Sequence, residues 1–179
     1  MQNKITTRVL VLLAMLVAVS IILGKYLAFN AGEVLRFSAE NLPVILAGIV
    51  FGPVAGVLTG VVADLVGCLM VGYTVNPLVT VGAGVIGAIS GLLPMLLART
   101  PLKENAVRVI TVASAHLVGS VLIKTLGLAS YYEMPYAVLL LWRLLNYVII
   151  GGLEGFILIS LLNSRGVKQQ LAKFKEERK

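Results

Sequence analysis

His116, Ser120 and Lys124 recur every four residues, so a helix through them carries all three on one face over two turns. Arg143, Asn146, Tyr147 and Glu154 make a similar stripe in the next apolar run. If both stripes face inward, they build a polar wall between helices. Its histidine and carboxylate could work as acid and base, and its cations could hold an anion. Asp64 interrupts another apolar run alone. A buried acid in such a segment is costly and marks a functional site by default. Each residue also has a plainer reading. His116 could be a core histidine satisfied by a neighbour, Lys124 and Arg143 could snorkel to an interface, and Asp64 and Glu154 could sit in structural pairs. No grouping is catalytic by pattern: there is no nucleophile elbow, no HExxH, no paired cysteines and no Walker-type phosphate loop. Gly82, Gly84, Gly87 and Gly91 lie inside an apolar run, where helix packing explains them. The single Cys68 forms no internal disulfide, and no metal-type cluster is present.

The elements that must position these residues are membrane helices. The chain has 179 residues, enough for one domain. It is 59% hydrophobic and 13% charged, against roughly 45–50% and 25% in soluble domains. Its mean hydropathy is +0.98. A net charge of +7 could suggest nucleic acid. The basic residues sit mostly between or after apolar runs, so nucleic acid is not the expected partner. Lys4, Arg8 and the run behind them imitate a signal peptide, but that run exceeds a typical h-region and no soluble domain follows.

Six apolar runs are expected as spans: 9–29, 42–51, 53–71, 78–98, 107–129 and 137–162. The second is too short to cross unaided, since a span takes roughly 20 residues, and is expected as a short or tilted helix. Pro53 suits a first helical position, and 72–77 is a turn by composition. The expected fold is therefore all-α, one membrane domain of six transmembrane helices with both termini cytoplasmic. A basic tail follows Asn163. In this topology Lys4, Arg8, Arg99, Lys103, Arg108, Arg165, Lys168, Lys173, Lys175, Arg178 and Lys179 fall inside, 11 of the 15 Lys and Arg. Lys25, Arg36, Lys124 and Arg143 fall outside, against the bias. Trp142, Tyr26, Tyr73, Tyr131, Tyr132 and Tyr136 share their level. An outward-facing site for an aromatic anion accounts for both sets; an interfacial aromatic belt is the other account of the tyrosines.

Stretch 34–67 organises the chain. It opens in a polar loop, 30–40, whose charged members include Glu33, Arg36 and Glu40, with Asn41 just beyond. It then carries Gly48, Gly52, Gly56 and Gly60 at four-residue spacing, which lets helix backbones approach closely in lipid. Ala14 and Ala18 form a small-xxx-small pair in the first run, for packing inside the protein or against a partner's helix.

Six helices in so short a chain, the Ala14/Ala18 pair, the polar outer loop and the basic tail resemble the S-components of energy-coupling factor (ECF) vitamin transporters. The string LRFSAENLPVILAGIVFGPVAGVLTGVVADLVG, followed by YTVNPLVTVGAGVIGAISGLL, is similar to the folate-specific branch. The resemblance implies a non-enzymatic subunit of the bacterial plasma membrane, chiefly in Gram-positive species, that captures folate outside. It implies docking through Ala14 and Ala18 on a transmembrane coupling subunit that sits on two ATPases, which consume the ATP; no cofactor is implied. It also implies toppling in the bilayer, with loops 30–40 and 72–77 as a gate. Folate's chemistry suits the residues. Its dianionic glutamate tail matches Lys25, Arg36, Lys124 and Arg143. Its flat pterin matches an aromatic slot with a carboxylate or amide from Asp64, Glu154, Asn76 or Asn146, with His116 nearby. Other vitamin ligands (riboflavin, thiamine, a pyrimidine), an intramembrane enzyme using His116 with Glu154, and a small ion channel are the competing readings.

Overall fold

The apolar runs fold into helices, two of which stop at a glycine, Gly52 and Gly72. The computed structural model describes residues 7–31 and 35–176. The described helices are α1 (Thr7–Tyr26), α2 (Asn41–Phe51), α3 (Pro53–Val71), α4 (Pro77–Leu97), α5 (Glu104–Tyr131), α6 (Tyr136–Asn163) and α7 (Arg165–Glu176). Glu33, Lys4, Arg178 and Lys179 lie outside the described residues.

Two expectations change. Five of these helices, not six, are long and apolar enough to cross a membrane. With 11 residues, α2 rises only about 16 Å at 1.5 Å per residue, against a hydrocarbon layer of roughly 30 Å. Gly52 ends it at φ +99°, a conformation L side chains rarely adopt. Pro53 then starts α3 in its first turn. The architecture is all-helical as expected, save for one short hairpin among the described residues. Phe29–Ala31 (β1) pairs antiparallel with Leu35–Phe37 (β2) in register Phe29↔Phe37, Asn30↔Arg36, Ala31↔Leu35. Both triplets read apolar–polar–apolar, the period of a strand, and the register sets Asn30 opposite Arg36. The first helix consequently ends at Tyr26 rather than 29.

The glycines of α2, α3 and α4 pack backbone against backbone. A Cβ on Gly56 would stand 2.3 Å from the Gly87 carbonyl oxygen, and one on Gly87 would stand 2.1 Å from that of Gly56. No side chain fits there, so α3 and α4 touch directly, as small residues allow in lipid. On the other side, Val44, Ile45, Ile86, Val112, Ala115, Leu158 and Leu162 form a core among α2, α4, α5 and α6. Val167 and Leu171 pin α7 onto it. Two helices contain π turns, Ile22–Tyr26 in α1 and His116–Ile123 in α5. Such wide turns are rare and concentrate at functional sites.

Candidate functional site

Lys25, Glu40, Asn41, Asp64 and Lys124 converge around a cavity of about 20 Å³, which Ser20, Val44 and Ala83 help to line. The end of α1 supplies Lys25, the residues entering α2 supply Glu40 and Asn41, α3 supplies Asp64, and α5 supplies Lys124 from beyond its π turn. Lys124 is 4% exposed. Its Nζ donates to Glu40 Oε1 at 3.0 Å and to Asn41 Oδ1 at 3.3 Å. Burial pushes the Glu40 carboxyl up, but Lys124, Lys25 and Arg36 together outweigh it and hold the group at about 2. Ser20 Oγ donates to the Glu40 carbonyl at 2.6 Å, fixing this segment to α1. Thr80 Oγ1 donates to Asp64 Oδ2 at 2.6 Å.

Arg36 and Lys25 both approach Tyr73, with the guanidinium carbon 6.0 Å and the ammonium 5.6 Å from the ring centre. Lys25 Nζ also lies 3.6 Å from Cys68 Sγ. Arg36 donates to the Gly24 carbonyl inside the first π turn. Its own carbonyl accepts from Asn146 Nδ2 at 3.1 Å, which ties β2 to α6.

The two polar stripes do face each other. His116 Nε2 lies 2.7 Å from Glu154 Oε2, and its Nδ1 lies 3.4 Å from Ser120 Oγ. The imidazole packs on Tyr147 at 5.1 Å between centres, and Arg143 lies over the same ring at 5.2 Å. Arg143 also donates to the Ser120 carbonyl at 3.0 Å. The snorkelling reading fails for Lys124 and Arg143, which are 4% and 9% exposed, because both find polar partners inside the bundle. His116 is satisfied by Glu154, itself fully buried. This second network lies apart from the cavity, whose lining includes none of its members. A larger groove of about 610 Å³ between α5 and α6 runs past His116 and Tyr147; its other walls are apolar side chains and glycines.

Asn76 joins neither group. It caps α4, with Oδ1 accepting from the Leu78 and Val79 amides at 3.0 and 3.4 Å and Nδ2 donating to the Gly127 carbonyl at 2.9 Å. Ala14 and Ala18 lie on the exposed face of α1, and Ala14 borders a groove between α1 and α3. Sequence reasoning passed over Glu40 and Asn41 as site residues. The available signal was a carboxylate and an amide immediately before an apolar run. Thr80 and Ser20 gave no comparable signal, whereas Tyr73 was among the tyrosines at the level of the outer cations. Among the described residues, Arg36 Nε, Asn41 Nδ2, Thr125 Oγ1, Arg143 Nε, Asn146 Oδ1 and Glu154 Oε1 are buried without a hydrogen-bond partner. Leaving such an atom unpaired costs about 1–3 kcal/mol, so their concentration in these networks calls for a functional account.

The fold is shared with solved structures. FolT, in a crystal structure with folic acid, matches at a TM-score of 0.70 and 24% identity, over 87% of this chain and 93% of that one. The S component of a bacterial ECF transporter matches at a TM-score of 0.65 and 19% identity, over 92% of this chain and 95% of that one. No curated protein matches the chain. The family model for the substrate-specific component of ECF transporters matches residues 8–163. A match over that much of the chain, together with five membrane-capable helices, makes this protein a member of the ECF transporter substrate-specific component family: a membrane-embedded transporter component rather than an enzyme.

Proposed function

We propose that this protein is the folate-capturing subunit of an ECF importer in a bacterial plasma membrane. It binds folate at the outer face and delivers it through a coupling subunit and two ATPases, which alone use ATP. Ala14 and Ala18 dock on the coupling subunit. The observation that carries the ligand assignment is the cluster of Lys25, Arg36 and Tyr73 beside the polar cavity. Two cations over one aromatic ring suit the dianionic glutamate tail and the benzoyl group next to it. The fold shared with FolT, solved with folic acid, supports the same ligand. A cation-poor site would suit thiamine instead. Both termini and the Arg99–Arg108 loop then lie in the cytoplasm.

Equilibrium titration of the purified protein with folate, thiamine and riboflavin tests the reading. Folate is expected to bind tightly and the other two weakly. Tight binding of riboflavin or thiamine with no folate binding overturns it and leaves the same fold serving another vitamin.

A further inference from the structure

We propose that Glu40, Asn41 and Lys124 form the slot that reads the hydrogen-bonding edge of the pterin. The inference rests on the folate reading above and names residues for it.

Charge comes first. The cavity is lined by two cations, Lys25 and Lys124, and two carboxylates, Glu40 and Asp64. Lys124 already has Glu40 at 3.0 Å, so a ligand carboxylate arriving there meets a neutralised ammonium. That balanced Lys124–Glu40 pair suits an uncharged edge that both donates and accepts. The glutamate tail is left to Arg36 and Lys25 beside Tyr73.

Edge chemistry comes second. A pterin presents the 2-amino group and N3–H as adjacent donors, followed by the 4-oxo acceptor. The Glu40 carboxylate can take both donors as a bidentate acceptor. Lys124 Nζ stands next to that carboxylate as a donor for the 4-oxo group. Asn41, 2% exposed, spends its Oδ1 on Lys124, while its Nδ2 is buried with no partner. That orphan donor gains an acceptor when a pterin binds, which removes the penalty of leaving it unpaired. A flavin offers acceptor, donor, acceptor along its corresponding edge, and a carboxylate cannot grip that pattern with both oxygens.

Reach comes third. The cavity of about 20 Å³ has room for about one water. A pterin therefore enters only as the segment carrying Glu40 shifts. Arg36 precedes Glu40 on that same segment, so one movement admits the ring and brings the tail-binding cation over it.

The experiment is calorimetry on the full chain, with folate, pteroate and aminopterin, on wild type, Glu40→Gln and Asn41→Asp. Glu40→Gln is expected to weaken folate and pteroate alike by roughly 10- to 100-fold, the effect of about one charge-assisted bond. Asn41→Asp keeps the acceptor for Lys124 but replaces the free donor, and is expected to weaken both by about 10-fold. Wild type is expected to bind aminopterin, which carries an amino group in place of the 4-oxo, less tightly than folate. If Glu40→Gln strengthens folate and leaves pteroate unchanged, Glu40 competes with the tail for Lys124 and the slot is refuted. If it changes neither, Glu40 is a structural brace and the slot is again refuted. Should that variant fail to fold, Asn41→Asp and the wild-type ratio of aminopterin to folate affinity decide alone. Wild-type binding of folate with any of these failures removes only the slot. Absence of wild-type folate and pteroate binding removes the proposed function itself.

Discussion

Arg36 holds the Gly24 carbonyl and lies near Tyr73, at the edge of the cavity rather than in its wall. Arg36→Ala is expected to weaken folate by roughly 10- to 100-fold and pteroate, which lacks the glutamate, by much less. Calorimetry with the two ligands checks this; equal losses would show that Arg36 does not read the tail. Glu40 gives a second expectation, in pH. Its carboxyl falls from 4.5 to about 2 on folding. A depressed carboxylate stabilises the fold above its unfolded value. That contribution is present above about pH 4.5 and is lost as pH falls towards 2. The melting temperature of the ligand-free protein should drop through that window, and Glu40→Gln should flatten the drop. A Gln variant with an unchanged acid slope would refute the linkage. The sequence singled out Lys25, Asp64 and Lys124 separately, because ionisable groups in apolar runs must find partners; that the three line one cavity appears only in the structure. Glu40 was passed over, because its partner is 84 residues away. Asn76 was legible as a cap from its place before Pro77 and an apolar run, yet its chemistry drew it into the ligand list.

The helices were legible as elements because each long apolar run has only one way to satisfy its backbone in lipid. Strands of three residues carry too little pattern to stand out, and a π turn leaves no mark in composition. On α1, the small pair Ala14 and Ala18 faces outward, so packing inside the protein is not its use. Ala14→Trp or Ala18→Trp is expected to leave folate binding intact while abolishing uptake with the coupling complex. Parallel measurement of purified-subunit binding and reconstituted uptake tests this. A joint loss would mean the bulky ring disturbs the groove between α1 and α3 rather than a docking face.

At the scale of the whole molecule, apolar runs fixed the number of segments but not how many cross. The half-length of α2 and the direct contact of α3 with α4 follow from Gly52, Gly56 and Gly87 acting across the chain. The split of cations remains the argument for orientation. In a Cys68→Ser background, a cysteine at Tyr132 is expected to react with an impermeant thiol reagent in intact cells, and one at Lys103 is not. Both positions are exposed, so burial does not confuse the readout. The reverse pattern would invert the protein and remove the outward site.

The two π turns make the lysines sensitive to residues they never touch. Closing such a turn to ordinary α geometry would shift the downstream part of the helix by one residue, a screw motion of about 100° and 1.5 Å. Lys25 belongs to the first wide turn, and Lys124 directly follows the second. Each turn has an arginine on one of its carbonyls, Arg36 on Gly24 and Arg143 on Ser120. Arg143 thus bonds, from another helix, the wide turn that directly precedes Lys124. Arg143→Met should let the turn tighten and swing Lys124 off the cavity, with folate and pteroate affinity falling together.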